Sequence, residues 1–107
     1  MYSNNVNAAE IGSIKAATEI MGDKWTPQLL RFFVNEKTVR FCQLQDLVGG
    51  INPRTLSARL AHLEDQGIIS KDKTDSSRCE YHLTKKGEDL MPVLQMMDTW
   101  SKKYTAA

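Results

Sequence analysis

"INPRTLSARLAHLEDQG", residues Ile51 to Gly67, holds two arginines and a histidine before its first carboxylate. Asn52 suits a helix cap. Pro53 fits the first turn, where a missing N–H costs nothing, and Gly67 supplies a stop. Between them Leu56, Leu60 and Leu63 recur at i, i+4 and i+7, the spacing of one buried helical stripe. The side chains off that stripe decide what the helix is for. At about 3.6 residues per turn, Thr55, Arg59 and His62 stack along one side, with Arg54 and Ala58 beside them. The acids Glu64 and Asp65 come only in the last turn. The helix dipole alone would place acids at the N-terminal end. Here that end carries Arg54 instead, and an anionic partner accounts for both departures. Backbone N–H groups at a helix start hold phosphate, and an arginine reaches a guanine edge with two nitrogens at once.

The flanking segments set this helix in a pattern. Upstream, Gln43 to Val48 reads as a short helical turn with Leu44, Leu47 and Val48 inward, broken by Gly49 and Gly50. Downstream, Ile68 to Asp72 and Arg78 to Thr84 read as two strands around the polar tip KTDSS. Further back, Ala8 to Met21 reads as a helix with Ile11, Ile14, Thr18 and Met21 as its stripe and Gly22 as its stop. Asp23 or Thr26 caps the next helix, Pro27 lies in its first turn, and Leu29, Leu30 and Phe33 face inward. Within Lys37 to Phe41, Val39 and Phe41 alternate as a brief edge strand. A last helix starts at Thr84 or Lys85 and runs to about Tyr104, with Leu90, Val93, Leu94, Met97, Trp100 and Tyr104 apolar; Pro92 kinks or restarts it. This order predicts a mainly α fold with a small β-hairpin wing, the winged helix-turn-helix.

At 107 residues the chain is long enough for one domain, expected to span 1–107. Its net charge of +1 carries no global basic signal, so nucleic-acid binding must rest on where charges sit. MYSNNVNAAE has neither a basic n-region nor an apolar run, and no stretch approaches the roughly 20 apolar residues of a membrane span. Two distant cysteines do not form a disulfide framework. A cytoplasmic protein with reduced thiols, away from the membrane, is the expectation.

The candidate DNA-binding side chains on the central helix (about 53–66) are Pro53, Arg54, Thr55, Ser57, Ala58, Arg59 and His62. Ala58 is small enough to let the helix approach a groove closely. Ser57 either touches a phosphate or faces the partner helix. On the wing, about 71–78, Lys71, Lys73 and Arg78 stand against Asp72 and Asp75. Arg40 either reaches a backbone phosphate or ends a strand in solvent. Cys42 falls at a helix start, where the dipole lowers a thiol pKa, so a redox sensor and a merely tolerated small residue are both open. Cys79 and His82 have C-x-x-H spacing, but an odd separation on a strand sends them to opposite faces, so no zinc site is expected. The chain lacks a Gly-rich phosphate loop, a nucleophile motif and a carboxylate pair on apolar ground, so neither an enzyme nor a cofactor is expected. The competing class is a winged-helix protein–protein module without DNA binding; an acid at position 54 or 59 would have favoured it.

Several stretches together resemble the HxlR-type winged helix-turn-helix transcriptional regulators, relatives of the MarR group. They are GDKWT (Gly22 to Thr26), RFCQL (Arg40 to Leu44), GINPRTLSARLAHLEDQGII (Gly50 to Ile69), EYHLTKKGEDL (Glu80 to Leu90) and Trp100. The resemblance implies a homodimeric regulator of double-stranded DNA, paired through its first and last helices. Ile11, Ile14, Met91, Leu94, Met97, Trp100 and Tyr104 become interface candidates, some facing the partner and some the core. A two-fold pair sets its recognition helices about 34 Å apart on a pseudo-palindrome with half-sites about 10 base pairs apart. Many members of the family sense oxidants through a cysteine before the first helix. Here that place falls near Gly12, and no cysteine precedes Cys42. The proline often found before the last wing strand is also missing. The wing charges imply mostly sequence-blind, salt-sensitive affinity. Replacing Lys73 and Arg78 is therefore expected to flatten the plot of log affinity against log salt. A titration of duplex DNA at several salt concentrations checks this, and an unchanged slope contradicts it.

Overall fold

Leu56, Leu60 and Leu63 lie at 0–1% exposure and seat their helix on a core built from every segment around it. The computed structural model describes residues 12–34, 36, 38–75 and 78–105. In chain order these form α1 (Ile14–Met21), α2 (Thr26–Leu30, tightened into a 3₁₀ turn over Arg31–Phe33) and β1 (Val39–Arg40). Then come α3 (Phe41–Leu47), α4 (Pro53–Asp65), β2 (Ile69–Asp75), β3 (Arg78–Leu83), α5 (Lys85–Glu88) and α6 (Met91–Thr105). Leu29 and Leu30 of α2, Leu44 of α3 and the α4 leucines meet Val39, Ile68, Ile69 and Tyr81 of the sheet region in one apolar cluster. The fold is the mainly helical winged helix-turn-helix that the pattern predicts.

The sheet is antiparallel in the order β1-β3-β2. Val39 pairs with Tyr81 and Arg40 with Glu80, so the two-residue β1 closes the edge of the hairpin. Ile69 pairs with Leu83 and Lys71 with Tyr81, and the register shifts between Lys73 and Asp75 near the tip. Asn52 caps α4 by accepting the Thr55 N–H at 2.8 Å. At its other end the chain reverses through Gly67, whose φ of +74° suits a residue without Cβ. Thr84 joins the hairpin to α5. Its N–H donates to the Ile68 carbonyl at 3.0 Å, and its hydroxyl accepts the Gly87 N–H at 3.1 Å.

Three expectations need correction. Leu47 was expected inward but is half exposed, because α3 is short and makes its core contact through Leu44 and Val48. On α1 the buried residue is Ile20, while Ile14 is 60% exposed and Thr18 is spent on a hydrogen bond to the Ile14 carbonyl. Ile11 lies outside the described residues. The third helix begins at Phe41 rather than Gln43, which makes Arg40 its flanking residue. Of the two outcomes expected at Pro92, the last helix takes the restart: Asp89 and Leu90 separate α5 from α6, and Pro92 occupies the first turn of α6, where it displaces no hydrogen bond. No helix among the described residues is long and apolar enough to cross a membrane.

Gly87 marks a close approach. A Cβ there would run into the Ile68 carbonyl oxygen and Leu83 Cδ2. Gly87→Ala is therefore expected to destabilise the fold by about 1–3 kcal/mol, as overpacking does. Urea unfolding monitored by circular dichroism checks this; an unchanged midpoint contradicts it.

Candidate nucleic-acid interface

With the leucine stripe locked inward, the rest of α4 sorts into three strips at about 100° per residue. Arg54, Ala58, Ala61 and Asp65 fall opposite the stripe, and all four are exposed. Ser57 and Glu64 turn toward the sheet, where with Ala61 they line a 260 Å³ cavity against Phe41, Lys71, Cys79 and Tyr81. Thr55, Arg59 and His62 turn the other way, toward the junction of α1 and α2, and are only half exposed.

That third strip departs from the expectation. Arg59 Nη1 lies 3.5 Å from Asp23 Oδ2. His62 Nε2 lies 3.1 Å from the Glu19 carbonyl oxygen, one of the four carbonyls that the end of α1 leaves unpaired. Arg59 is expected at DNA and His62 at DNA or solvent; here Asp23, between α1 and α2, pairs with Arg59, and the Glu19 carbonyl of α1 meets His62. Asp23 stands in GDKWT, where it was legible as a cap but not as a partner for α4. The Asp23 carboxylate also accepts the Trp25 N–H at 2.8 Å, the Thr26 N–H at 2.9 Å and the Thr26 hydroxyl at 2.6 Å. Burial alone would raise its pKa, but those hydrogen bonds and the Arg59 charge outweigh burial and hold it below the ordinary carboxylate value.

Arg54, by contrast, makes no ion pair among the described residues and stands in the first turn of α4. Pro53 beside it is exposed, and no acid occurs in that turn. Ala61 belongs to the same outer line, although only Ala58 was singled out from the sequence. On the wing, Lys71 is exposed, and the Asp72 carboxylate is taken up by His82 Nδ1 at 2.6 Å. Lys73 pairs in register with Cys79, and Arg78 with Asp75. Arg40 is exposed but sits 3.7 Å from Glu80 across the β1–β3 pair, so a phosphate would have to compete with that carboxylate. Cys42 is exposed in the first turn of α3, and Cys79 is half buried. Among the described residues no cluster of three His, Cys, Asp or Glu could hold a metal.

A second surface lies on α6, where no described side chain is buried. Val93, Met96, Met97, Trp100 and Tyr104 expose 41–63% of their surface. Val93, Met97, Trp100 and Tyr104 follow one another at four-, three- and four-residue steps, the spacing of a helix–helix seam. The Trp100 and Tyr104 rings lie 5.2 Å apart along it. Met91 and Leu94, on the opposite side of α6, lean on the core.

Residues 20–107 match the family model for HxlR-like helix-turn-helix proteins. The chain is 33% identical over 93 residues to YdeP of Bacillus subtilis, an HTH-type transcriptional regulator, covering 85% of this chain and 72% of YdeP. It is 32% identical over 92 residues to the HTH-type transcriptional regulator MJ0925 of Methanocaldococcus jannaschii, covering 82% of this chain and 81% of that protein. Among solved structures, ytcD, described as an HTH-type transcriptional regulator, superposes with a TM-score of 0.80 at 25% identity, over 89% of this chain and 98% of ytcD. None of these relatives is described as an enzyme.

The open guanidinium at the start of α4 generates a direct expectation. Arg54→Ala should weaken binding to a preferred duplex by about 1–3 kcal/mol. Its melting temperature should stay at the parent's, since an exposed, unpaired side chain is removed. Electrophoretic titration beside a thermal scan checks both; parent-like affinity contradicts the assignment.

Proposed function

Since the chain belongs to the HxlR-like helix-turn-helix family, we propose that it regulates transcription as a homodimer that binds double-stranded DNA sequence-specifically. In this reading α4 enters the major groove by its N-terminal half, with Arg54 and Ala58 foremost and Pro53, Thr55 and Ser57 around them. One observation carries it. The outward line of α4 begins with a guanidinium that makes no ion pair among the described residues and a methyl group, and meets its first carboxylate only at Asp65, in the last turn. Residues at the start of a recognition helix are those that reach base edges. An acid-free start with an open arginine suits guanine on the base edge and phosphate at its sides. Lys71, Lys73 and Arg78 of the wing supply backbone affinity, and Arg40 adds to it if the phosphate displaces Glu80. The two-stage pattern is a familiar one: backbone contacts position the protein, and a few base contacts specify the site.

The partner for α6 is a second copy of this chain. A seam of five large apolar side chains, more than 40% exposed on a helix with nothing buried, is not how a lone domain of this size disposes of its hydrophobic residues. Two-fold pairing buries the seam against itself and holds two α4 helices at a fixed separation. Met97, Trp100 and Tyr104 face the partner in this arrangement, with Ile14 of α1 beside them. Met91 and Leu94 serve the protomer's own core, and the chain forms one DNA-binding domain flanked by pairing helices.

Two measurements test this. Repeated selection from a random duplex pool is expected to enrich a pseudo-palindrome with half-sites about 10 base pairs apart. Light scattering is expected to give twice the 12.1 kDa chain mass, and Trp100→Glu to return the mass of one chain with the circular dichroism spectrum intact. A parent that enriches no sequence favours a protein–protein module; a Trp100→Glu variant that stays paired removes α6 from the seam.

A further inference from the structure

We infer that the end of α1 and the elbow that follows it, Glu19 to Thr26, form the positioning element of α4, through which Arg59 and His62 set the angle at which α4 enters the groove rather than read bases. This rests on the DNA-binding reading above. This segment grips α4 at two points on one flank. Asp23 holds the Arg59 guanidinium at 3.5 Å, and the Glu19 carbonyl, just before the elbow, receives the His62 ring at 3.1 Å. The grip is itself anchored. Thr26, whose hydroxyl and N–H both bind Asp23, is completely buried, so the carboxylate is tied to the core rather than to a mobile side chain. Trp25 packs against the core and lies over Gly50, in the turn between α3 and α4. One five-residue segment outside the two-helix unit thus touches the flank of its second helix and the turn that leads into it.

Charge decides between holding and reading. A base-reading arginine needs its two nitrogens free for the guanine edge. Pulling Arg59 off Asp23 would leave a half-buried carboxylate beside DNA phosphates with its positive partner gone, and the Thr26 and Trp25 hydrogen bonds keep that carboxylate from moving away. Arg54, one turn earlier, is open and does not carry this cost. The two arginines of α4, alike in sequence, therefore do different work. Arg54 contacts the nucleic acid; Arg59 fixes the helix that presents Arg54.

The test compares Asp23→Ser, Arg59→Gln and the double variant with the parent dimer, using the duplex the parent selects from a random pool. Serine keeps an acceptor at the start of α2 but removes the charge that Arg59 meets. Three quantities are read: affinity, the slope of log affinity against log salt, and discrimination against duplexes whose half-sites are one base pair closer or farther apart. Each single variant is expected to lose about tenfold in affinity, 1.4 kcal/mol by the usual conversion. Each should also lose most of the spacing discrimination, and the double should be no worse than either single. Their salt slopes should stay at the parent's, whereas Arg54→Gln should lower the slope by about one and keep the discrimination. A loss of stability alone would leave the spacing preference of the folded fraction untouched. The proposal is overturned if Arg59→Gln lowers the slope by about one, if Asp23→Ser tightens binding, or if the losses of the two singles multiply in the double. Should Asp23→Ser not fold, slope and spacing preference in Arg59→Gln alone decide. A parent that selects no duplex overturns the DNA-binding reading and this proposal with it; a selecting parent with multiplicative losses overturns only this one.

Discussion

Three leucines fix the rotation of one helix, and the surface of the molecule follows from that rotation. Leu56, Leu60 and Leu63 are buried against α2, α3 and the start of the sheet. Burying each fully is worth roughly 1.5–3 kcal/mol. Turning α4 by one residue about its axis would expose the stripe and drive Arg54 toward the core, a loss no surface contact could offset. Which side chains α4 offers to a partner is therefore set by packing, before any electrostatics enter. The acid-free start of the outer line is then a property of the seated helix and not only of its composition.

Both flanks of α4 are occupied. The sheet side meets Phe41, Lys71 and Tyr81 across a small cavity. The other side meets Glu19 and Asp23. The outward line is led by Arg54 and Ala58, with Pro53 and Ser57 exposed beside them. One helix supports only a few base contacts per protomer, and a second copy doubles them. Doubling the line along α6 supplies the length of site that one helix cannot. The wing is tied to the body through Thr84 and Gly87, close to where the chain leaves α4.

The order of elements, the cap at Asn52 and the leucine stripe were legible because each is local: spacing, a capping oxygen and a glycine act within a turn or two. The direction of Arg59 and His62 was not. It depends on Asp23 and Glu19, which the fold alone brings beside α4. Leu47 departs from its inward expectation for a related reason. Helical spacing says which residues share a face, not how much of the helix reaches the core, and α1 reaches it only near Ile20. Pro92 left a kink and a restart both open; the backbone takes the restart, after Leu90. Among the interface candidates, Met91 and Leu94 pack against the core, while Met97, Trp100 and Tyr104 are exposed. On α4, the outward placement of Arg54 and Ala58 follows from helical spacing, and Ala61 shares their line.

The central claim is that α4 of each protomer lies in a major groove. Methylation interference on the duplex the protein selects tests it most directly, because guanine N7 lies in the major groove and adenine N3 in the minor. The account predicts that N7 methylation blocks binding in two patches about 10 base pairs apart, related by the two-fold axis of the site. Interference confined to adenine N3, or none at any base, would contradict it.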